Sequence, residues 1–178
     1  MKNPSLIKMN TIEAIMTRRS IRAFKSTPVS KDAVQQILQA AMNAPSAAEQ
    51  RPWHFVVISR RELLDALADA VDEGNPMLKQ AQAAILLCID PALVKLAGYG
   101  EKDCACAAQN IQLAAHDLGL GTVWISIQGI PPRENGCRSL LSLPDAICPF
   151  ALFPLGEPME KLPARQNFDA TRVHHDKW

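Results

Sequence analysis

The stretch Ala83–Ile89 (AAILLCI) is an almost unbroken run of apolar residues, and it limits the possible folds of this chain most strongly. A strand with apolar side chains on both sides is stable only when both faces of its sheet are covered. The run therefore predicts a central strand with helices on each side. Further apolar segments predict three more strands, at Trp53–Ile58, Gly121–Ile127 and Phe150–Leu155.

Helical patterns lie between the predicted strands. Asn10, with Glu13 three residues later, is typical of a capped helix that runs to the arginines at 18 and 19. Ser30 caps a second helix whose apolar positions have helical spacing: Val34, Ile37, Leu38 and Ala41. Two more helices are predicted over Arg60–Val71 and Asp103–Leu118, with a turn at 74–76 after the first of them.

The helix over Asp103–Leu118 is rich in alanine and ends at Gly119. Its small side chains favour close packing against another helix, and a subunit interface is one possibility. Helices that alternate with a few strands indicate an α/β or α+β sandwich. A length of 178 residues favours one domain spanning 1–178.

Composition excludes several classes of function. The chain has 19 Lys and Arg against 18 Asp and Glu, a net charge of +1, which argues against bulk nucleic-acid binding. No segment is long and apolar enough to span a membrane, and Met1–Met9 lacks the apolar core of a signal peptide. Five cysteines without a framework spacing predict reduced thiols and a cytoplasmic location.

Cys104 and Cys106 are the only close pair of cysteines. A metal site needs more than two thiolates, and the four histidines show no spacing that would complete one. We therefore interpret the pair as small buried side chains on a helix. A thiol or metal protein built on this pair is an alternative from another functional class.

The segment Arg18-Arg19-Ser20-Ile21-Arg22 places three guanidinium groups within five residues, at the end of the first predicted helix. Guanidinium groups pair bidentately with phosphate or carboxylate oxygens. The same charges also complement a helix dipole, by about 0.3–1 kcal/mol each. Neither the G-x-G-x-x-G motif nor a P-loop is present, so a phosphate site here is of another type.

Five short motifs resemble the FMN-dependent nitroreductase family, and they occur in the family's order over nearly the whole chain. The motifs are Arg18–Phe24, Ala44–Ser46, Pro52–Phe55, Gly119–Trp124 and Pro154–Pro158. The resemblance implies an α+β fold: a three-layer sandwich with a central, mostly antiparallel sheet flanked by helices, as an intertwined homodimer. It also implies bound FMN, NADH or NADPH as electron donor, and ping-pong hydride transfer to a nitroaromatic, a quinone or a similar small oxidant.

By motif position, the resemblance also implies which residues bind FMN. Arg18, Ser20 and Arg22 are expected at the phosphate, the ribityl chain or the pyrimidine edge, with Arg19 the least certain member of the cluster. The ring is expected to meet Pro45, Ser46 and Ala47 of the partner subunit, and then Thr122, Val123 and Trp124. Gly156 is expected near the phosphate end. No catalytic side chain is required, because the cofactor carries the hydride chemistry.

The chain departs from the family's pattern at three positions. Glu49 stands where the family has Asn, Arg51 where it has Gln, and Asn167 where close relatives have a phosphate-binding arginine. An ionised Glu49 only accepts hydrogen bonds and would repel a reduced, anionic flavin. We expect Glu49 to pair with Arg51 or with the arginine cluster, with exposure to solvent as the alternative. Arg165 is expected to replace the missing arginine.

Two predictions follow from these departures and from the polar tail. The altered positions leave open a flavin-binding protein of low turnover, such as a sensor or store. Residues 160–178 are polar and end in Trp178, so we predict an arm that docks elsewhere, with a second subunit as one target and a frayed terminus as the alternative.

Overall fold

The computed structural model describes residues 9–72 and 76–178, and within these ranges the chain forms six helices and five strands. In chain order they are α1 (Thr11–Thr17), α2 (Lys31–Met42), β1 (Trp53–Ile58), α3 (Arg61–Asp72), α4 (Pro76–Gln80), β2 (Ala83–Ile89), α5 (Gly100–Asp117), β3 (Gly121–Thr122), β4 (Ile125–Ser126), α6 (Pro131–Leu141) and β5 (Cys148–Gly156).

The strands form one antiparallel sheet in the order β1-β2-β5-β3, and β4 also pairs with β5. β2 lies inside the sheet, and every one of its residues is buried. Its side chains alternate between two cores: Leu86 packs in the cluster that includes α3, α4 and α6, and Leu87 packs in the cluster of α2 and α5. The predicted α+β, three-layer arrangement is confirmed.

The predicted helix caps are present. The Asn10 side chain accepts a hydrogen bond from the Glu13 amide at 2.9 Å, and Ser30 Oγ accepts one from the Ala33 amide at 3.1 Å. Gly119 follows α5 with φ +74°, a left-handed conformation that glycine adopts without strain. The turn predicted at 74–76 lies largely outside the described residues.

The prediction of one continuous strand over Gly121–Ile127 is wrong. Two short strands, β3 and β4, pair with β5 in a single register in which Thr122 lies opposite Leu155 and Ile125 opposite Leu152. The interruption between them falls opposite Pro154. Because proline has no N–H to donate, the ladder of hydrogen bonds breaks at this point.

Helix α6 was not anticipated, because its sequence begins with Pro131-Pro132 and contains Gly136. Proline is tolerated in the first turn of a helix, where the amide has no partner within the helix. Gly136 permits a close approach, since a Cβ there would lie 2.8 Å from Ala70 Cβ of α3. The helix therefore forms through its packing on α3.

Candidate functional site

Three of the sequence motifs meet beside the end of the sheet. The extended segment after α1 forms a parallel bridge between Ser20 and Thr122, and the Ile21 amide donates to Thr122 O at 3.0 Å. Farther along, the Met159 amide donates to Ala23 O at 3.0 Å. The arginine segment is therefore held between β3 and the chain that leaves β5.

Glycines allow this close approach. A Cβ at Gly121 would lie 2.6 Å from Ile21 Cγ2, and a Cβ at Gly156 would lie 2.8 Å from Phe24 Cβ. Any larger residue would push the arginine segment away from the sheet. Ile21 and Phe24 are themselves buried, so the polar residues between and around them are turned outward.

The outward side chains line a cleft of about 700 Å³ with four arginines: Arg18, Arg19, Arg22 and Arg165, together with Ser20 and Asn167. Arg22 and Arg165 make no hydrogen bond or ion pair with any described residue. The structure therefore brings Arg165 to the cluster, as expected from the sequence. No carboxylate of the described chain lines this cleft, so its charge is available to an anion.

The side chains of two of these arginines form hydrogen bonds with other residues of the chain. Arg18 Nη1 donates to Gln112 Oε1 of α5 at 3.4 Å, and burial, followed by the nearby Arg19 charge, lowers the pKa of Arg18. Arg19 Nη1 donates to the carbonyl of Pro163. Arg19 thereby ties the start of the C-terminal segment to the cluster, while Gln112, which sequence reasoning missed, orients Arg18.

His116 lies behind the cluster, beside a second cleft of about 660 Å³. Its Nε2 is 2.8 Å from Thr17 Oγ1, which donates to Glu13 O at 2.6 Å. Thr17 therefore connects the His116 ring to the backbone of α1. Burial, and then the charge of Arg18, lower the pKa of His116.

The strand residues expected at the ring have different surroundings. Thr122 is buried, and its Oγ1 is the one buried side-chain polar atom of the described chain without a hydrogen-bond partner. Val123 lies in one core cluster. Trp124 is half-buried and packs against the other, with its ring edge-on to Phe150 and Phe153 at centroid distances of 5.4 and 5.5 Å. Of the three, Thr122 is nearest in the fold to the arginine segment.

The loop that contains Pro45, Ser46, Ala47 and Glu49 lies elsewhere in the chain. The Ala47 amide donates to Asp103 Oδ1 in the first turn of α5, whereas Arg18 meets α5 at Gln112. Nine residues of helix separate these two contacts by about 13 Å along the axis. The single chain therefore does not join the loop to the arginine cleft.

The expected pairing of Glu49 does not occur in the single chain. Glu49 is exposed and forms no ion pair with any described residue, Arg51 and the arginine cluster included. Its backbone has a φ of +50°, in the left-handed region. The alternative weighed from the sequence, exposure to solvent, describes this structure.

The cysteine pair divides between core and surface. Cys104 is fully buried, but Cys106 is exposed, so the prediction of two buried side chains is wrong for Cys106. The two residues lie two apart on α5 and therefore project in different directions. Residues 9–72 and 76–178 contain no group of three His, Cys, Asp or Glu arranged to hold a metal ion.

The fold and the cleft define an α+β protein with an arginine-lined cleft beside an antiparallel sheet. Residues 15–157 match the model of the Nitroreductase family. The chain belongs to this family. Within the described residues, no helix has the length and apolarity needed to cross a membrane.

Individual relatives agree with this assignment. The chain is 44% identical over 171 residues to a Methanothermobacter thermautotrophicus protein named as an NADH dehydrogenase/NAD(P)H nitroreductase, covering 96% of this chain and 89% of the relative. A Parabacteroides distasonis crystal structure with the same name has a TM-score of 0.88 at 36% identity, covering 94% of this chain and 98% of that one. A Desulfovibrio desulfuricans nitroreductase in complex with FMN has a TM-score of 0.80 at 29% identity, covering 100% and 99%.

Proposed function

We propose that this chain is an FMN-dependent NAD(P)H oxidoreductase that reduces a nitroaromatic, a quinone or a similar small oxidant. The observation that carries the proposal is the cleft lined by four arginines and no carboxylate of the described chain, at the place where three motifs of the family meet. Membership of the Nitroreductase family and the FMN complex of a related structure support the choice of cofactor.

The residues of the cleft fit FMN chemically. A phosphate dianion needs several charge-assisted donors, and Arg22 and Arg165 have no partner among the described residues. The Ser20 side chain lines the same cleft. Thr122, which forms a backbone bridge with Ser20, has a buried Oγ1 without a hydrogen-bond partner in the described chain, whereas buried polar atoms are normally hydrogen-bonded.

In this proposal, Arg18, Arg22 and Arg165 hold the phosphate, and Gln112 orients Arg18. Gly121 and Gly156 keep the arginine segment against the sheet. FMN held there would supply the redox chemistry that links NADH or NADPH to the second substrate. Because the cofactor carries the redox chemistry, the protein's part is to bind and orient it, and ping-pong kinetics are expected.

We infer that the active form is a homodimer with two flavin sites. The loop over Pro45–Ala47 and the arginine cleft contact α5 nine residues apart, so a partner's loop would complete each site. Helix α1 also leaves large apolar side chains exposed, with Ile12 at 68% and Met16 at 53%. Such a face needs a cover, which a second copy would provide. Light scattering in solution tests this: a monomer at micromolar concentration would contradict it.

The first experiment is the visible absorption spectrum of the purified protein, before and after anaerobic addition of NADH or NADPH. We expect flavin bands that bleach with one or both nucleotides and return when a quinone or nitroaromatic is added. A colourless protein that also fails to take up added FMN would refute the proposal.

A second candidate is a flavin-binding protein of low turnover. It is favoured by Glu49, which has no ion pair in the described chain and is predicted to lie at the flavin edge. An unpaired carboxylate there would disfavour the anionic reduced cofactor and slow the reductive half-reaction. Slow bleaching without appreciable steady-state turnover would support this candidate, and brisk turnover would exclude it.

A further inference from the structure

The loop between α2 and β1 has an unfavourable backbone. Ala48, Glu49 and Arg51 have φ values of +49°, +50° and +46°, in the left-handed region that residues with a Cβ rarely adopt. Left-handed residues persist only where the surrounding structure holds them, and they concentrate at functional sites. Some contact must therefore fix this loop.

The contact is a chain of hydrogen bonds through two buried side chains. Asp103 Oδ1 accepts from the Ala47 amide at 3.0 Å, and Asp103 Oδ2 accepts from Gln50 Nε2 at 2.5 Å. Gln50 Oε1 in turn accepts from the backbone amides of Lys95 and Leu96, at 2.8 and 3.1 Å. Asp103 and Gln50 are 4% and 5% exposed. We call this series of hydrogen bonds the Asp103–Gln50 lock.

The lock works in only one polarity. Its two ends are backbone N–H groups, which can only donate, so the side chains between them must accept at both ends. The Gln50 amide cannot turn over, because its nitrogen would then face the amides of Lys95 and Leu96. Asp103 must accept on both oxygens, which only a carboxylate does. An asparagine at position 103 would set one donor against another.

The rest of the loop is bonded to itself. The Glu49 and Gln50 amides donate to Ser46 O and Ala47 O at 3.2 and 3.0 Å, and the Arg51 amide donates to Ser46 Oγ at 3.2 Å. The lock therefore holds the loop as a unit against α5 and the segment at 95–96. The exposed Lys95 ammonium adds one longer bond, to Ala48 O at 3.3 Å.

We propose that Asp103 and Gln50 are positioning residues that hold the loop over 46–51 in the conformation that receives the flavin ring. This inference rests on the proposed function, because it assigns the loop to FMN. Neither residue needs to touch the cofactor. Without the lock the left-handed residues relax, and the apparent affinity for FMN falls in proportion to the fraction of loops that remain competent.

The test uses two substitutions that each break the lock and together restore it with reversed polarity. In Asp103→Asn, the new side-chain nitrogen faces another N–H donor. In Gln50→Glu, two carboxylates face each other. In the double variant, the asparagine oxygen accepts from the Ala47 amide and its nitrogen donates to the new carboxylate. That carboxylate still accepts from the amides of Lys95 and Leu96, and the net charge of the chain equals that of the wild type.

Two readouts on the full-length protein are compared. Quenching of FMN fluorescence gives the dissociation constant of the apoprotein, and hydrogen exchange reports the protection of the Ala47, Lys95 and Leu96 amides. We expect each single variant to bind FMN roughly tenfold more weakly or worse, corresponding to a competent loop population of about one in ten. The double variant should recover to within about threefold, with protection restored. The control is Glu101→Gln, which removes a charge two residues away on α5.

The outcomes separate the lock from the proposed function. Single variants that bind FMN like the wild type would overturn the proposal, even if they were less stable, because a purely structural role lowers stability without weakening binding to the folded protein. A double variant that stays as weak as the single variants would also overturn it. If the wild type binds no FMN, the proposed function and the assignment of the loop both fail, and hydrogen exchange alone then decides whether the lock holds the loop.

Discussion

The close contact between Gly156 and Phe24 allows a quantitative prediction for Gly156→Ala. A new Cβ would lie 2.8 Å from Phe24 Cβ, so reaching ordinary van der Waals contact at 3.4 Å requires a displacement of about 0.6 Å. Both partners are rigid, because Gly156 ends the buried strand β5 and Phe24 Cβ is fixed to the backbone. Overpacking of this kind destabilises a protein by about 1–3 kcal/mol.

A destabilisation of about 2 kcal/mol corresponds to a fall in Tm of roughly 4–8 °C for a chain of this size. The displaced backbone also carries Arg22, two residues before Phe24, so binding of FMN should weaken in the same variant. Thermal unfolding of the apoprotein, at one fixed protein concentration, and fluorescence titration with FMN measure the two effects. The concentration must be fixed because the proposed dimerisation would stabilise the folded chain.

Gly100→Ala is the matched control for this measurement. A Cβ at Gly100 would meet only the methyl groups Val94 Cγ2 and Ile89 Cγ2, at 3.1 and 3.3 Å, and side-chain ends can move. Reduced freedom of the unfolded chain adds about 0.4–1 kcal/mol of stability, which offsets the tight contact. We expect this variant to lie within about 1 kcal/mol of the wild type. A Gly156→Ala protein that unfolds and binds FMN like the wild type would refute the reasoning.

Three further predictions concern charge, pH and the thiols. Arg22→Ala should raise the FMN dissociation constant by about tenfold to a hundredfold, because a charge-assisted hydrogen bond contributes roughly 1.5–3 kcal/mol, whereas Arg60→Ala, on the exposed surface, should leave titrations unchanged. The pKa of His116 is lowered from its ordinary 6.5, so as the pH falls below about 6.5 the unfolded chain takes up this proton before the folded chain does, and Tm should fall. In melting curves of His116→Gln, that part of the pH dependence should be absent. Burial raises the pKa of the Cys88, Cys104 and Cys137 thiols to about 12. Iodoacetamide at pH 8 should therefore leave these thiols unmodified until the protein is unfolded, which mass spectrometry can show. Modification of the folded protein at these three positions would show that the core opens.

The limits of the elements with strong apolar patterns could be predicted from sequence to within three residues. β1 and β2 have the predicted limits, Trp53–Ile58 and Ala83–Ile89, because a run of apolar residues of strand length has one stable place in a covered sheet. The caps at Asn10 and Ser30 were equally clear, because a side-chain oxygen satisfies an amide three residues away. These features can be recognised from short stretches of the sequence.

The features that were missed depend on distant partners. The break between β3 and β4 is set by Pro154, which is more than thirty residues away in the chain and becomes relevant only through the register. Helix α6 forms because Gly136 allows it to approach Ala70 closely. Local propensity opposes both outcomes, and tertiary packing overrides it.

The candidate site divides in the same way. The arginine segment could be recognised in the sequence by its density of positive charge. The structure brings Arg165 to this segment although more than 140 residues separate them. Asp103 and Gln50 gave no such signal, because a single polar residue in an alanine-rich helix predicts nothing until its partner is known. Their pairing requires the register between a loop and a helix that are fifty residues apart.

The length of α5 links the fold to the proposed assembly. One end of the helix anchors the loop through Asp103, and the far half orients the arginine cluster through Gln112 and packs His116 behind it. A helix of 18 residues is too rigid to bring its two ends together, so in the proposed homodimer one chain would supply two separate half-sites. Two copies arranged about a two-fold axis would pair each half-site with its complement, because a symmetric interface repeats every contact. Loss of the Asp103–Gln50 lock in one subunit should therefore impair the flavin site assigned to the arginines of the other.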